Sequence, residues 1–311
     1  MFSDYHPSLQ HPEQMGDVRR GIEGRFHKMK NSTARAKKII KRVVLIIVIF
    51  AISLIWLMPM LWIISTSLRL PTQSFTLPPH FLPTEFYWSN YAKVFDILPF
   101  LSFLKNSVIV TVIGTGVQIF ISSLAAYAFA RIDFPGKKVW FIVFLSGLMI
   151  PAQVTVIPKF LMLKGVGLLN TIWALILPAI IDPLAIFLLR QNMLTIPKSY
   201  DESAYMDGAG RFRIYRSIIF PMCMPSIVVV LVTRALVLWN DFFQPLIFIS
   251  EYKNMTLPLG LTVLKGQAEF GSGSISIVLA GVVMSFIPPL LLYIFCQKKL
   301  MSATVLAGLK S

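Results

Sequence analysis

Six apolar runs, at 43–68, 107–129, 139–157, 168–189, 227–249 and 275–295, alternate with polar or proline-rich segments along the 311-residue chain. At about 1.5 Å of rise per residue, helices of about 20 residues cross roughly 30 Å of hydrocarbon, so the pattern predicts six transmembrane helices and an all-α protein. A helix buried in a soluble core would explain any one run, but not six in a chain of this length. The first run begins only at residue 43 and lacks a small-residue cleavage site, which predicts an anchor and not a removable signal peptide.

The most polar interruption is 199–225, SYDESAYMDGAGRFRIYRSIIFPMCMP. Ser199 and Glu202 have the spacing of a capping box, and Gly208 is placed to end the short helix that follows. Phe212, Tyr215, Ile218 and Ile219 fall on one face of a second helix. Arg211, Arg213 and Arg216 hold that helix at a water interface, and Pro221 leads back into the next apolar run. The segment therefore reads as helix, turn, helix, with the shape of a lever and not of an active site.

Composition supports the membrane reading, because 56% hydrophobic and 14% charged residues leave too little polar surface to cover a soluble domain. With a cytoplasmic N-terminus, the tail, the 131–138 turn, the 190–216 loop and the C-terminus together carry 21 of the 29 Lys and Arg residues. The positive-inside rule then predicts both termini on the cytoplasmic side. The expected organisation is a basic cytoplasmic tail at 1–42, a transmembrane domain at 43–296 containing the polar loop 197–221, and a cytoplasmic tail at 297–311. The net charge of +15 follows from this topology and from anionic lipid headgroups along 28–42, so no nucleic acid is expected as a partner.

Candidate chemistry is sparse. Cys223 and Cys296 fit free thiols packed in apolar surroundings. His6, His11, His27 and His80 have no metal-ligand spacing, so no metal site is expected. No GxxxxGK[ST] sequence occurs, and the single Gly136-Lys137 pair lacks the earlier glycine and the hydroxyl of a phosphate loop. The chain is expected to bind no cofactor and to be no enzyme by itself.

The order Glu202, Ser203, Ala204, Asp207, Gly208, then Ile218, Phe220 and Pro221, resembles the EAA loop in the permease subunits of bacterial ABC importers. Further segments extend the resemblance to the carbohydrate branch, the maltose-type permeases of the MalG family. These are Asn106-Ser107, Ala125-Ala126-Tyr127-Ala128-Phe129-Ala130-Arg131, Ile150-Pro151, Phe187-Leu188-Leu189-Arg190-Gln191, Trp239-Asn240-Asp241-Phe242 and Pro245-Leu246. Only about the first 40 residues lie outside it. Ser203 stands where alanine is commoner and Phe220 where leucine is commoner.

The resemblance implies a type I importer fold and a partner set of a second homologous permease, an ABC ATPase dimer carrying ATP and Mg, and an extracytoplasmic sugar-binding protein. It assigns ATPase coupling to Glu202, Ser203, Ala204, Asp207, Gly208, Phe212 and Pro221. It also makes 251–273 a candidate insertion loop into the binding protein, although Gly266, Gly271 and Gly273 suit an ordinary pliable connection equally well. Ala307, Gly308 and Lys310 become candidate ATPase contacts in the C-terminal tail.

Asp182, Arg234 and Asp241 are ionisable groups inside the runs, and each is expected to face protein or water. Arg234 and Asp241 share a helix face but stand about 10 Å apart along the axis, so each needs another partner. With Trp239 and Asn240 they are expected to serve helix packing and gating. Gln118, Tyr127, Gln153, Asn240 and Gln244 could line a sugar path, yet none is assigned to substrate. An ion-driven secondary carrier using Asp182, Arg234 and Asp241, and a scaffold without transport, stay open as alternatives.

Overall fold

The computed structural model describes residues 12–70, 82–83, 85–269 and 275–308, with side chains at 38, 40–70, 82–83, 85–266 and 275–301. The readings of His6, His11, His80, Gly271, Gly273 and Lys310 fall outside these residues, as do the side chains of His27 and Ala307. In chain order the helices are α1 (Pro12–Ser67), α2 (Ser89–Ile97), α3 (Phe100–Arg131), α4 (Lys137–Ser146), α5 (Val156–Gly165), α6 (Trp173–Ile176), α7 (Pro183–Leu194) and α8 (Ser199–Met206). They continue as α9 (Arg211–Ile214), α10 (Phe220–Met222), α11 (Met224–Trp239), α12 (Phe243–Phe248), α13 (Leu257–Glu269), α14 (Ile275–Ser285) and α15 (Ile287–Gly308). Among the described residues there is no strand. The chain forms two compact units that meet in sequence at Trp62 and Ile63, inside α1.

Three stretches are long and apolar enough to cross a bilayer as they stand: Ile40–Ser67, Phe100–Arg131 and Ile275–Met301. They cover the first, second and sixth runs. The other three runs are interrupted, and each interruption has a local cause. In the third run α4 stops at Ser146, a single 3-10 turn covers Gly147–Met149, and Ile150 becomes extended (φ −87°, ψ 116°). Pro151 forces that geometry on the residue before it and removes a helical N–H, so helix resumes only at Val156.

The fourth run is a bent pair, Trp173–Ala179 and Pro183–Leu194, at 42°. Its second half starts afresh: Asp182 is extended, its carboxylate accepts from the Leu184 N–H at 3.0 Å, and Pro183 takes the first helical position. The fifth run stops at Trp239, where Asp241 accepts from the N–H groups of Phe243 and Gln244 at 3.1 and 3.2 Å and starts α12. Met224–Trp239 also forms a pair with Arg211–Met222, bent by 76°.

The partners that Asp182 and Arg234 require are each other. Arg234 Nε stands 2.7 Å from Asp182 Oδ2, with the two side chains 23% and 6% exposed. One contact thus ties the break in the fourth run to the middle of α11. Asp241 has a different task, as a helix cap.

Packing in the second unit, residues 63–311, is organised as three apolar clusters. One gathers Ala126, Ala130, Ala185, Leu189 and Met193 of α3 and α7 with Ile214, Tyr215, Ile219 and Cys223 of the polar loop. Small residues at 126, 130 and 185 let α3 and α7 approach closely, as interhelical packing in lipid requires. A second joins Val94, Phe103, Trp239, Leu257, Leu264 and Ile277, and a third joins Val110, Leu163, Leu175, Phe248 and Leu259.

The stretch 251–269, the described part of the candidate insertion loop, is held in place by side-chain bonds and runs into a helix. Asn106 Nδ2 donates to the carbonyls of Lys253 and Met255, and Ser107 Oγ accepts from the Leu257 N–H at 2.7 Å, which fixes the start of α13. Asn170, in the left-handed region at φ 61°, accepts at its side-chain oxygen from Ser250 and Glu251. α13 then buries Leu257 and Leu264 completely, with Gly266 inside the helix. Glycine is required at 260, because a Cβ there would lie 2.1 Å from the ring of the fully buried Phe103.

Two stability outcomes are expected. Gly260→Val drives α13 off Phe103 and lowers stability by about 1–3 kcal/mol, with partial recovery in Gly260→Val/Phe103→Leu. Arg234→Met strands the Asp182 carboxylate and costs about 3–5 kcal/mol, most of it recovered by adding Asp182→Asn. Thermal unfolding of the purified protein in detergent reads both.

Candidate functional site

The polar loop folds as the predicted helix, turn, helix, but its first helix starts differently. Lys198, in helical geometry, occupies the cap position without any side-chain cap, and its carbonyl accepts from the N–H groups of Asp201 and Glu202. The Ser199–Glu202 capping box is therefore not formed. Asp201 is drawn away to Arg131, and the first turn of α8 is held from outside. The far end matches the sequence reading, with Gly208 at φ 77°. Ala209 N–H reaches Ala204 O at 2.9 Å and Gly208 N–H reaches Tyr205 O at 3.0 Å, the paired closure that a glycine in this conformation permits.

The second arm is α9, one π-helical stretch at Tyr215–Ile219, and α10 with Pro221 inside it. Ile214, Tyr215 and Ile219 are buried and Ile218 is half-buried, but Phe212, expected on the same face, is 63% exposed. The widened turn rotates the buried stripe, so that 214, 215 and 219 face inward in place of 212.

Three polar side chains of α3 hold this loop. Arg131 Nη1 stands 3.1 Å from Asp201 Oδ2, and Tyr127 donates its hydroxyl to Arg211 O at 3.0 Å. Ser123 Oγ shares a 2.7 Å hydrogen bond with the Tyr215 hydroxyl. Ser123, Tyr127 and Arg131 recur every fourth residue, a single line along α3. Ser123 and Tyr127 are buried, and the Arg131 side chain is almost fully covered.

Two arginines also join the ends of α3 and α7 reciprocally. Arg131 Nη2 donates to Met193 O at 2.9 Å and Ile196 O at 2.7 Å, while Arg190 Nε donates to Phe129 O at 3.1 Å and lies 4.1 Å over the Phe141 ring. Each guanidinium satisfies carbonyls at the C-terminal end of the other helix, where the helix dipole also favours a cation.

Of the residues assigned to coupling, Ala204 points inward and Glu202, Ser203, Asp207, Gly208, Phe212 and Pro221 are exposed. Tyr200, Tyr205 and Met206 add large exposed side chains, Met206 at 88%. Between the two arms lies a groove of about 200 Å³, floored by Ala204, Ile214 and Ile218 and rimmed by Asp207 and Arg213. The holders of the loop, Ser123, Tyr127, Arg131, Arg190 and Asp201, were not assigned a role from sequence. Their signal was available in α3: polar residues at every fourth position near the end of an otherwise apolar run.

The candidates for a sugar path are not brought together. Tyr127 is committed to the loop, and Asn240 stands beyond the opposite end of α11, whose Leu238 approaches Gly114 of α3. Thirteen residues of α3 separate those two levels, about 20 Å. Gln118 is buried and Gln153 exposed. Trp239 is buried and, with Thr111, Thr115, Leu231, Ala235 and Pro288, borders a cavity of about 410 Å³ among α3, α11 and α15. Its largely apolar wall suits hydrocarbon better than a polyhydroxylated solute. Among the described residues, no three His, Cys, Asp or Glu side chains gather as a metal site would require.

Comparison with known proteins accounts for this architecture. Residues 118–300 match the family described as the inner membrane component of binding-protein-dependent transport systems. The probable ABC transporter permease protein YurM of Bacillus subtilis (strain 168) is 33% identical over 248 residues, 77% of this chain and 79% of that protein. The arabinooligosaccharides transport system permease protein AraQ of Halalkalibacterium halodurans is 32% identical over 231 residues, 74% of this chain and 82% of that protein. The crystal structure of a bacterial ABC transporter involved in importing the acidic polysaccharide alginate shares the fold, with a TM-score of 0.71 at 24% identity over 83% of this chain and 96% of the other. A chain of apolar helices with an outstanding polar loop, related at this level to ABC sugar-transport permeases, belongs to the family of binding-protein-dependent transport system inner membrane components.

Proposed function

We propose that the chain is one permease subunit of an ATP-driven importer of sugars or oligosaccharides in a bacterial plasma membrane. It crosses the membrane six times with both termini inside, and forms the translocation path with a second homologous permease. An extracytoplasmic binding protein delivers the sugar, and ATP with Mg is bound by a separate ATPase dimer. The loop 197–221 docks on that ATPase, offering Glu202 as a carboxylate for a partner guanidinium. Three long spans, the bent pair of the fourth run, α11 continued by α12, and the third run resuming after Pro151 support six crossings, and the basic segments at 131–138 and 190–216 support the orientation.

The observation that carries this reading is the two-sided build of the loop. Its outer face exposes Glu202, Met206, Asp207 and Phe212, while its inner face is bonded to α3. Exposed apolar groups among charges suit a protein partner, and buried polar bonds on the other face suit transmission of its movement. The ion-driven alternative fits less well. Asp182 is engaged by Arg234, and Asp241 by two backbone N–H groups, which leaves both occupied as structural groups.

Two measurements check the reading. Glu202→Ala in the assembled transporter should lower sugar uptake by about tenfold or more, equivalent to about 1.4 kcal/mol of coupling, and unchanged uptake would refute the docking role. With Cys223 and Cys296 replaced by alanine and the ATPase stripped, a cysteine replacing the exposed Met206 should react with a membrane-impermeant thiol reagent in inverted vesicles but not in intact spheroplasts, and the opposite pattern would refute the orientation. Sugar uptake by the isolated chain under an ion gradient, without an ATPase, would establish the secondary carrier.

A further inference from the structure

The loop is covalently continuous with two helices, α7 before it and α11 after it, and these two connections differ in stiffness. Towards α11 the chain passes through the π-helical stretch at Tyr215–Ile219, then Pro221, and turns by 76° before α11 begins. A π turn and a proline both interrupt the regular hydrogen-bond ladder, so force applied along this route is absorbed by bending. Sideways to α3 the loop has three buried bonds spread over both arms: Asp201 to Arg131, Arg211 O to Tyr127, and Tyr215 to Ser123. Their α3 ends lie on one line over eight residues, about 12 Å of helix.

We propose that Ser123, Tyr127 and Arg131 are positioning residues that make span α3 the receiver of the coupling movement, so that α8, α9, α3 and α7 move as one body and α11 follows through its packing on α3 and its Arg234–Asp182 contact with α7. This rests on the proposed docking of loop 197–221 to an ATPase and names the route that the movement takes from there.

Arg131 is the central member because it joins three elements through one planar group. Nη2 holds the carbonyls of Met193 and Ile196 at the end of α7, and Nη1 faces Asp201 in the first turn of α8. The side chain is 5% exposed, so these bonds are shielded from competing water. Lysine keeps the charge but lacks the fixed fork and cannot hold both carbonyls and the carboxylate in the same geometry. Tyr127 adds a bond to the second arm and packs its ring 5.3 Å from that of Tyr215.

The test uses the complete transporter in proteoliposomes, with its ATPase and binding protein, and reads sugar transported per ATP hydrolysed. Arg131→Lys should lower that ratio by about tenfold, and Asp201→Asn or Tyr127→Phe by a smaller factor, while ATP hydrolysis per assembled complex changes less than about threefold. A merely structural role moves transport and hydrolysis together, leaving the ratio intact, and that result in folded Arg131→Lys complexes overturns the proposal.

A second measurement needs no Arg131 variant. Spin labels on cysteines at Met206 and Val112 of α3, and separately at Met206 and Val237 of α11, follow both routes through the ATP cycle with Cys223 and Cys296 replaced by alanine. The first separation should hold within about 2 Å through the cycle, and a change in it larger than any change in the second overturns the proposal. If Glu202→Ala uncouples transport while Arg131→Lys does not, docking stands and the route through α3 fails. If no ATPase assembles with the chain, the docking itself fails.

Discussion

A helix that ends inside a packed, water-poor environment leaves carbonyls without partners, and this constraint shapes the junction on which the rest of the molecule depends. α3 and α7 end side by side next to the polar loop, so unsatisfied carbonyls accumulate at one place. Arg131 and Arg190 solve this reciprocally, each donating to the end of the other's helix. Two arginines this deep carry a desolvation cost, which the carbonyls, the Asp201 carboxylate and the Phe141 ring offset. The same contacts fix how far α7 extends past α3 and therefore where α8 begins. The lever stands where it does because its root is a polar knot.

Much of the fold was legible as hydrophobic period, and the exceptions share a cause. The runs at 43–68 and 107–129 lie in continuous helices, and in 275–295 the turn at Phe286, just before Pro288 and Pro289, leaves α14 and α15 in one span. The other three contain Pro151, Pro183 and Asp241, and at each the chain has a local reason to restart. An average over 20 residues cannot register one proline, so run length overstated the continuity of these segments. Gly208 was readable because the closure of α8 needs a positive φ, a demand written in a single residue. The capping box failed because the helix starts one residue earlier than Ser199 would cap it, with the Lys198 carbonyl already accepting from Asp201 and Glu202.

Partners distant in sequence explain what could not be read of the candidate site. The bonds that hold the loop join residues 62 to 92 positions apart, and no spacing rule relates them. Asp182 and Arg234 were recognisable as expensive charges needing compensation, and the axial distance from Arg234 to Asp241 spoke against that pair, but no spacing rule named Asp182 as the mate. Geometry chose Asp182 because Pro183 restarts a helix there, turning the carboxylate towards α11. Exposed coupling residues were easier to name than buried ones, because polarity on a loop is conspicuous while polarity inside a span looks like packing.

The two ends of the second unit also differ in kind. At the end holding Asn106, Asn170 and Ser107, side chains bond to backbone and fix the chain between α12 and α13 in one conformation. At the loop end, side-chain bonds run from one helix to two arms that protrude beyond it, and the groups at 202, 206, 207 and 212 stay exposed on their outer side. A surface that keeps Met206 and Phe212 out of the core while Ile214 and Ile219 enter it is poorly explained by stability of the isolated chain. The proposed docking partner would cover them. Because the bonds beneath that surface lead to α3, the covering partner would act on the body of the bundle and not on a hinged appendage.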